Sequence, residues 1–224
     1  MQSPAPRAPL GSTLEGVGPA VATHTWVDLD IPEASRLADL SGILWDLRQA
    51  REFAKLLEGE LSAAKPNWPL VEPLSIAATV MYSRPFSRGV RHRLGEEDLK
   101  ILTAEQRQSH DHLRAYRDRH VAHSVNPLEE NIPRANYCVE RVQEEGITGI
   151  SYGGGRVVGL SGADVAAIIE LTTVLQAHIE SQIAAEQARL LPIVRSLPLE
   201  EVLAGGQKAF GVDARARVGD KRKR

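Results

Sequence analysis

Histidine and arginine are concentrated in residues 109–124. Four of the seven histidines lie in this segment, interleaved with arginines. The residues are His110, His112, Arg114, Arg117, Arg119, His120 and His123. Imidazole can give or take a proton near neutral pH, and guanidinium binds phosphate through two N–H groups at any physiological pH. Such groups could cleave RNA without a metal. One removes the 2′-hydroxyl proton, one protonates the leaving 5′-oxygen, and a cation stabilises the charge on phosphorus.

The spacing of three residues in this segment resembles a known family signature. Arg117 and Asp118 are followed by His123, six positions after the arginine. This Arg-polar-x4-His pattern is similar to the HEPN motif, and residues 116–124 are similar to the abortive-infection AbiU-like branch. In that branch a segment like residues 81–89 also tends to occur.

The resemblance implies a mainly α, up-and-down helical bundle and a homodimer whose two motif copies face one cleft. It also implies a metal-independent endoribonuclease of a toxin or antiphage defence system. In such an enzyme Arg117 would bind the scissile phosphate, Asp118 would orient it or its partner, and His123 would be the acid or base. RNA and a cognate antitoxin or defence-system protein would be the partners. Val125 stands where HEPN toxins controlled by a minimal nucleotidyltransferase carry a modified tyrosine, so control by that route is not expected.

Helix geometry limits how the motif can assemble. At 100° per residue, Arg117 and His123 lie about 120° apart around a regular helix. They converge only if the helix ends near Ala122 or if a second subunit supplies one of them. His120, three residues after Arg117, is the better partner on the same face and is a second candidate for catalysis.

Further arginines could track the phosphates of RNA. Those expected to do so follow the second predicted helix or flank the motif, together with one serine. They are Arg84, Arg88, Arg91, Arg93, Arg114, Arg119 and Ser124. The alternative for the first four is a solvated loop, and the scarcity of aromatic residues argues against base stacking.

Other interpretations of the motif remain open. In one, the HEPN fold binds RNA or a protein without catalysis, and Arg117 and His123 hydrogen-bond across the dimer. In another, the basic residues only complement the dipole at a helix C-terminus. A metal site built from His120 and His123, or from His110 and His112, lacks a supporting Glu-x-x-His spacing. No metal and no cofactor are therefore predicted.

Apolar periodicity and caps predict the elements that position these residues. A first helix begins near Asp30, with Glu33 as capping partner, and continues as an apolar stripe from Leu37 to Leu57. A second, from Leu70 to Arg84, is apolar nearly all round and is predicted to be the buried central helix. A third runs from Thr103, capped with Gln106, to about Ser124.

A small β-hairpin is expected before the last long helix. Residues 137–142, 147–152 and 156–160 are predicted strands, and Gly153–Gly155 is predicted to form the turn. Ser161 and Asp164 are predicted to cap the last helix. The three tryptophans, Trp26, Trp45 and Trp68, are expected in the core or anchoring loops.

Composition sets the domain organisation and the compartment. Residues 1–24 are rich in Pro and Gly and are predicted to be a disordered arm. Residues 25–200 are predicted to form a helical domain with the hairpin at about 135–160, and residues 205–224 are predicted to be a disordered basic tail. The net charge is −2, so RNA contact would need a local basic patch. One cysteine excludes an internal disulfide. The absence of a secretory signal and of an apolar run of about 18 residues predicts a cytoplasmic protein without membrane contact.

Overall fold

The computed structural model describes residues 25–89, 91–121, 129–157 and 159–206. The chain is mainly helical, with a two-stranded antiparallel hairpin before its longest helix, as predicted. The helices are α1 (Ser35–Ser62), α2 (Trp68–Ser83), α3 (Glu96–Leu99), α4 (Ala104–Tyr116), α5 (Val142–Glu145), α6 (Gly162–Ser196) and α7 (Leu199–Ala204). The strands are β1 (Glu129–Asn136) and β2 (Gly149–Arg156).

Helix α1 is the centre of the bundle. Its predicted apolar stripe is buried, with Leu40, Ile43 and Leu47 fully so, and it packs against α2 and α6, which contact each other little. Ile76 of α2 is 43% exposed, so the prediction of α2 as the buried central helix is wrong. Apolar residues also cover much of a protein's surface, so an apolar composition all round a helix does not prove its burial.

All three tryptophans lie at the surface rather than in the core. Trp26, Trp45 and Trp68 are 55%, 63% and 60% exposed. The core is built mainly from the aliphatic residues of α1 and α6, with Tyr82 and Phe86 as its buried aromatic members.

Two helix starts follow the predicted capping boxes. The N–H of Gln106 donates to Thr103 Oγ1 (3.2 Å) at α4, and the N–H of Asp164 donates to Ser161 Oγ (3.2 Å) at α6. The first helix differs, because a 3₁₀ turn (Pro32–Ala34) precedes α1 and has no side-chain cap.

The hairpin is shifted from its predicted position. Glu129 pairs with Arg156 at one end and Asn136 with Gly149 at the other. Residues 137–148 connect the strands and contain a 3₁₀ turn (Val139–Arg141) and α5, so the predicted strand at 137–142 and the predicted glycine turn are wrong.

The glycines lie inside β2 because β1 passes close to them. A Cβ at Gly154 would collide with the backbone carbonyl oxygen of Glu130, and one at Gly153 would collide with the Arg134 guanidinium. Gly155 has open space where a Cβ would be. The run of small residues therefore permits strand approach rather than a turn.

The ends of the described region meet. The N–H of Asp28 donates to the Gly206 carbonyl oxygen (2.8 Å), and α7 carries the helical domain slightly beyond residue 200. The predicted arm (1–24) and the basic tail from residue 207 onward lie outside the described residues. Among the described helices, none is both long enough and apolar enough to cross a membrane.

Candidate functional site

The segment that carries the motif is a π-helical turn. Helix α4 ends at Tyr116, and residues Arg117–Val121 continue it with π-helical geometry instead of the predicted α-helix to Ser124. A π-helix closes i→i+5 hydrogen bonds, so the 100° step of a regular α-helix does not apply to residues 117–121. His123 and Ser124 lie outside the described residues. Single π-helical turns are frequent at functional sites.

Two of the predicted catalytic residues meet directly. Arg117 Nη1 lies 2.8 Å from Asp118 Oδ1, and the two side chains are 38% and 53% exposed. The ion pair therefore sits where a ligand could reach it.

His120 is oriented towards the protein. Its ring centroid lies 5.0 Å from that of Tyr116. Its Nδ1 is buried and has no hydrogen-bond partner within the described ranges. Contact with Tyr116, rather than with Arg117, positions this imidazole.

Two arginines of the segment that follows α2 neutralise a buried acid. Asp46 of α1 is 1% exposed, and its carboxylate lies 2.6 Å from Arg91 Nη2 and 3.5 Å from Arg84 Nε. A buried carboxylate is costly unless it is paired, so these guanidinium groups have a structural task. RNA binding by Arg84 and Arg91 remains a prediction, but their charges are already partly compensated.

A second buried acid anchors the same segment. The N–H of His92 donates to Asp39 Oδ2 (2.9 Å), and Asp39 lies one heptad before Asp46 on α1. Neither acid was predicted to have a role from the sequence. Their signal was their position directly beside the apolar stripe, next to Leu40 and Leu47.

A cleft of about 390 Å³ lies between α3, α4 and the 3₁₀ turn Arg84–Phe86. Its charged and aromatic lining consists of Phe86, Arg93, Glu96, Arg107, His110, Asp111 and Arg114. Arg107, His110 and Arg114 lie on α4 at spacings of three and four residues, which places them on one face. Two predicted RNA-binding residues, Arg93 and Arg114, are thus brought together, whereas Arg88 is exposed elsewhere on its loop.

His110 forms the inner wall of this cleft. It is 3% exposed, and its ring centroid is 4.6 Å from Phe86. Its Nδ1 lies 2.8 Å from the hydroxyl oxygen of the fully buried Tyr82. That hydroxyl proton needs an acceptor, and Nδ1 is the acceptor that the described structure offers. We therefore assign donation from Tyr82 to Nδ1, which leaves the imidazole proton on Nε2.

Burial keeps both members of this pair uncharged at neutral pH. Burial, assisted by the positive charge of Arg114, lowers the pKa of His110 from 6.5 to about 4. Burial likewise raises the pKa of the Tyr82 phenol above its usual value. His110 is therefore a neutral hydrogen-bond donor rather than a general base near pH 7. The sequence placed His110 in the histidine and arginine cluster and among possible metal ligands, but its burial against Tyr82 was not visible there.

The two α4 arginines of the cleft differ in their pairing. Arg107 is bound by Glu96 (2.9 Å) and Asp111 (3.4 Å). The Arg114 guanidinium carbon lies 5.5 Å from the centre of the Phe86 ring, and its Nε is buried without a hydrogen-bond partner in the described part of the chain.

On the opposite side of α4, His112 contacts α6. Its Nε2 lies 3.0 Å from Asp164 Oδ1, beside a smaller pocket of about 270 Å³. Neither this pair nor any other grouping among the described residues assembles three side chains able to hold a metal ion.

Comparisons of this chain with protein-family models, with curated proteins and with solved structures found no match.

Proposed function

We propose that this chain is a metal-independent endoribonuclease of HEPN type that works as a homodimer. The observation that carries the proposal is the Arg117–Asp118 ion pair, which is partly exposed on a π-helical turn. This turn ends at Val121, two residues before His123 in the sequence. Arginine has five N–H donors, so one bond to Asp118 leaves others free for a phosphate. The cytoplasm would be its compartment, and an antitoxin or defence-system protein its partner.

The chemistry assigned to the motif is a transesterification. The RNA 2′-oxygen attacks the adjacent phosphorus while an imidazole takes the 2′-hydroxyl proton. The bond from phosphorus to the 5′-oxygen breaks, and an imidazolium protonates that oxygen. With a dimer, the two His123 copies supply base and acid, and Arg117 stabilises the charge on the phosphoryl oxygens. The products are a 2′,3′-cyclic phosphate and a 5′-hydroxyl.

Incubation of the purified protein with total RNA in EDTA tests this proposal. We expect 2′,3′-cyclic phosphate ends that disappear in His123→Ala and Arg117→Ala. His112→Ala is the matched control, since His112 lies on the same segment but faces Asp164. Cleavage that persists in His123→Ala, or that requires a divalent cation, would refute the mechanism. A monomeric mass in light scattering at working concentration would refute the shared site.

A non-catalytic RNA- or protein-binding module is the second candidate. It is favoured by the contact of Arg117 with Asp118, because a guanidinium that already has an anionic partner can serve structure alone. RNA that remains intact at high protein concentration, yet comigrates with the protein on a native gel, would support this candidate over the enzyme.

A further inference from the structure

We propose that the cleft between α3, α4 and the 3₁₀ turn Arg84–Phe86 binds a phosphate group through the Nε2–H of His110 and the guanidinium of Arg114. This site is additional to Arg117: at about 1.5 Å of rise per residue, His110 lies about 10 Å and Arg114 about 5 Å before Arg117 along the chain. That RNA supplies the phosphate rests on the proposed function, whereas phosphate binding itself does not.

In the assigned tautomer, His110 presents its Nε2–H as a hydrogen-bond donor to the cleft. Tyr82 occupies Nδ1, so the remaining ring nitrogen carries the proton. An unprotonated oxygen of a phosphate group can accept this hydrogen bond. A ligand that presents a donor there would leave two donors facing each other.

Arg114 supplies a charge with unmet hydrogen-bonding capacity. Its guanidinium is held against the Phe86 ring, and its Nε is buried without a described partner. Because this Nε is enclosed by protein atoms, a phosphate in the cleft would be bound through the terminal N–H groups of the guanidinium, and such hydrogen bonds are charge-assisted. The planar fork suits a tetrahedral oxyanion because it offers two parallel N–H groups.

The surrounding charges favour an anion. Three arginines line the cleft against two carboxylates, and both carboxylates are bound to Arg107. Arg114 and the exposed Arg93 therefore give the opening its positive potential. The volume of about 390 Å³ lies within the range of small-ligand sites. It would accept a phosphate with its sugar.

Titration of the full chain with inorganic phosphate, at ionic strength held constant with chloride, tests the site. We expect a rise in melting temperature and a movement of the His110 Nε2–H resonance in NMR. Arg114→Gln should weaken phosphate binding by about tenfold or more, since a charge-assisted hydrogen bond is lost. Arg195→Gln, an exposed arginine on α6, is the matched control and should bind as wild type does.

Two outcomes would overturn the proposal. One is a His110 resonance in the wild type that does not respond to phosphate, a readout that does not depend on any variant folding. The other is an equal response to acetate, which would show a general anion effect.

Adenosine monophosphate and a short oligouridine distinguish the sources of the phosphate. If the oligouridine competes with inorganic phosphate, the cleft belongs to an RNA path. If only the mononucleotide competes and RNA stays intact, the phosphate site stands while the proposed ribonuclease function fails. If RNA is cleaved but Arg114→Gln leaves its KM unchanged and phosphate does not bind, only the present inference fails.

Discussion

Tyr82→Phe should destabilise the protein far more than the loss of one hydroxyl at the surface. The Tyr82 hydroxyl is fully buried and lies 2.8 Å from His110 Nδ1. The substitution removes a buried hydrogen bond and leaves an acceptor unsatisfied on His110, a combination that costs about 1–3 kcal/mol. No cavity larger than one oxygen atom is created, so packing contributes little to this loss.

Urea denaturation at pH 7 measures this loss of unfolding free energy. Tyr152→Phe is the control, because Tyr152 is 90% exposed and a surface change of this kind stays within about 0.5 kcal/mol. Nitrogen-15 NMR of the imidazole adds an independent readout, with the proton on Nε2 in the wild type. A Tyr82→Phe variant as stable as the wild type, or a wild-type His110 with its proton on Nδ1, would refute the assigned hydrogen bond. It would also refute the role of His110 Nε2–H as a donor to the cleft.

Three further changes test other parts of the structure. The unfolded chain protonates His110 below pH 6.5 while the native pKa is about 4, so wild-type unfolding free energy should fall by about 2 kcal/mol between pH 7 and about pH 5. A flat urea profile over this range would contradict that burial. Asp46→Asn should lower the unfolding free energy measured in urea by about 2 kcal/mol or more, because it leaves Arg91 with an uncompensated charge. An unchanged unfolding free energy would show that water already solvates this pair. Gly154→Ala should speed amide hydrogen exchange in both strands while Gly155→Ala does not, since only the first Cβ meets backbone. Equal protection in the two variants would disprove the close approach.

Local signals in the sequence predicted the existence of the four long helices α1, α2, α4 and α6, but not the short helices α3, α5 and α7. The capping boxes at Thr103 and Ser161 involve residues three apart, and their hydrogen bonds require no tertiary partner. The stripe of α1 likewise depends only on spacing. The central position of α1 was not predictable in this way, because it depends on which helices pack on both of its sides.

The hairpin was misplaced for a related reason. Three consecutive glycines favour a turn when considered alone. Their need for small side chains arises from Glu130 and Arg134, some twenty residues earlier, and becomes visible only when β1 lies beside them. The register of a two-stranded element is a tertiary property that composition does not encode.

The candidate site was predicted as a segment but not as an arrangement. Arg117 and Asp118 meet as adjacent residues can, whereas the burial of His110 against Tyr82 joins residues 28 positions apart. Similarly, a phosphate-contacting role for Arg91 was inferred from charge alone, and the buried Asp46 that pairs with it lies 45 positions earlier. Charge counts along a chain do not reveal which charges are already neutralised.

Because Glu129 pairs with Arg156, the chain enters and leaves the hairpin at neighbouring positions. Partners across an antiparallel ladder have Cα atoms about 5 Å apart, so the two ends of the hairpin lie close together. Everything between these two residues can be lengthened, shortened or replaced by a brief linker without altering the distance that the flanking chain must span. The hairpin could therefore vary in evolution or by protein engineering while the geometry of the helical bundle stays unchanged.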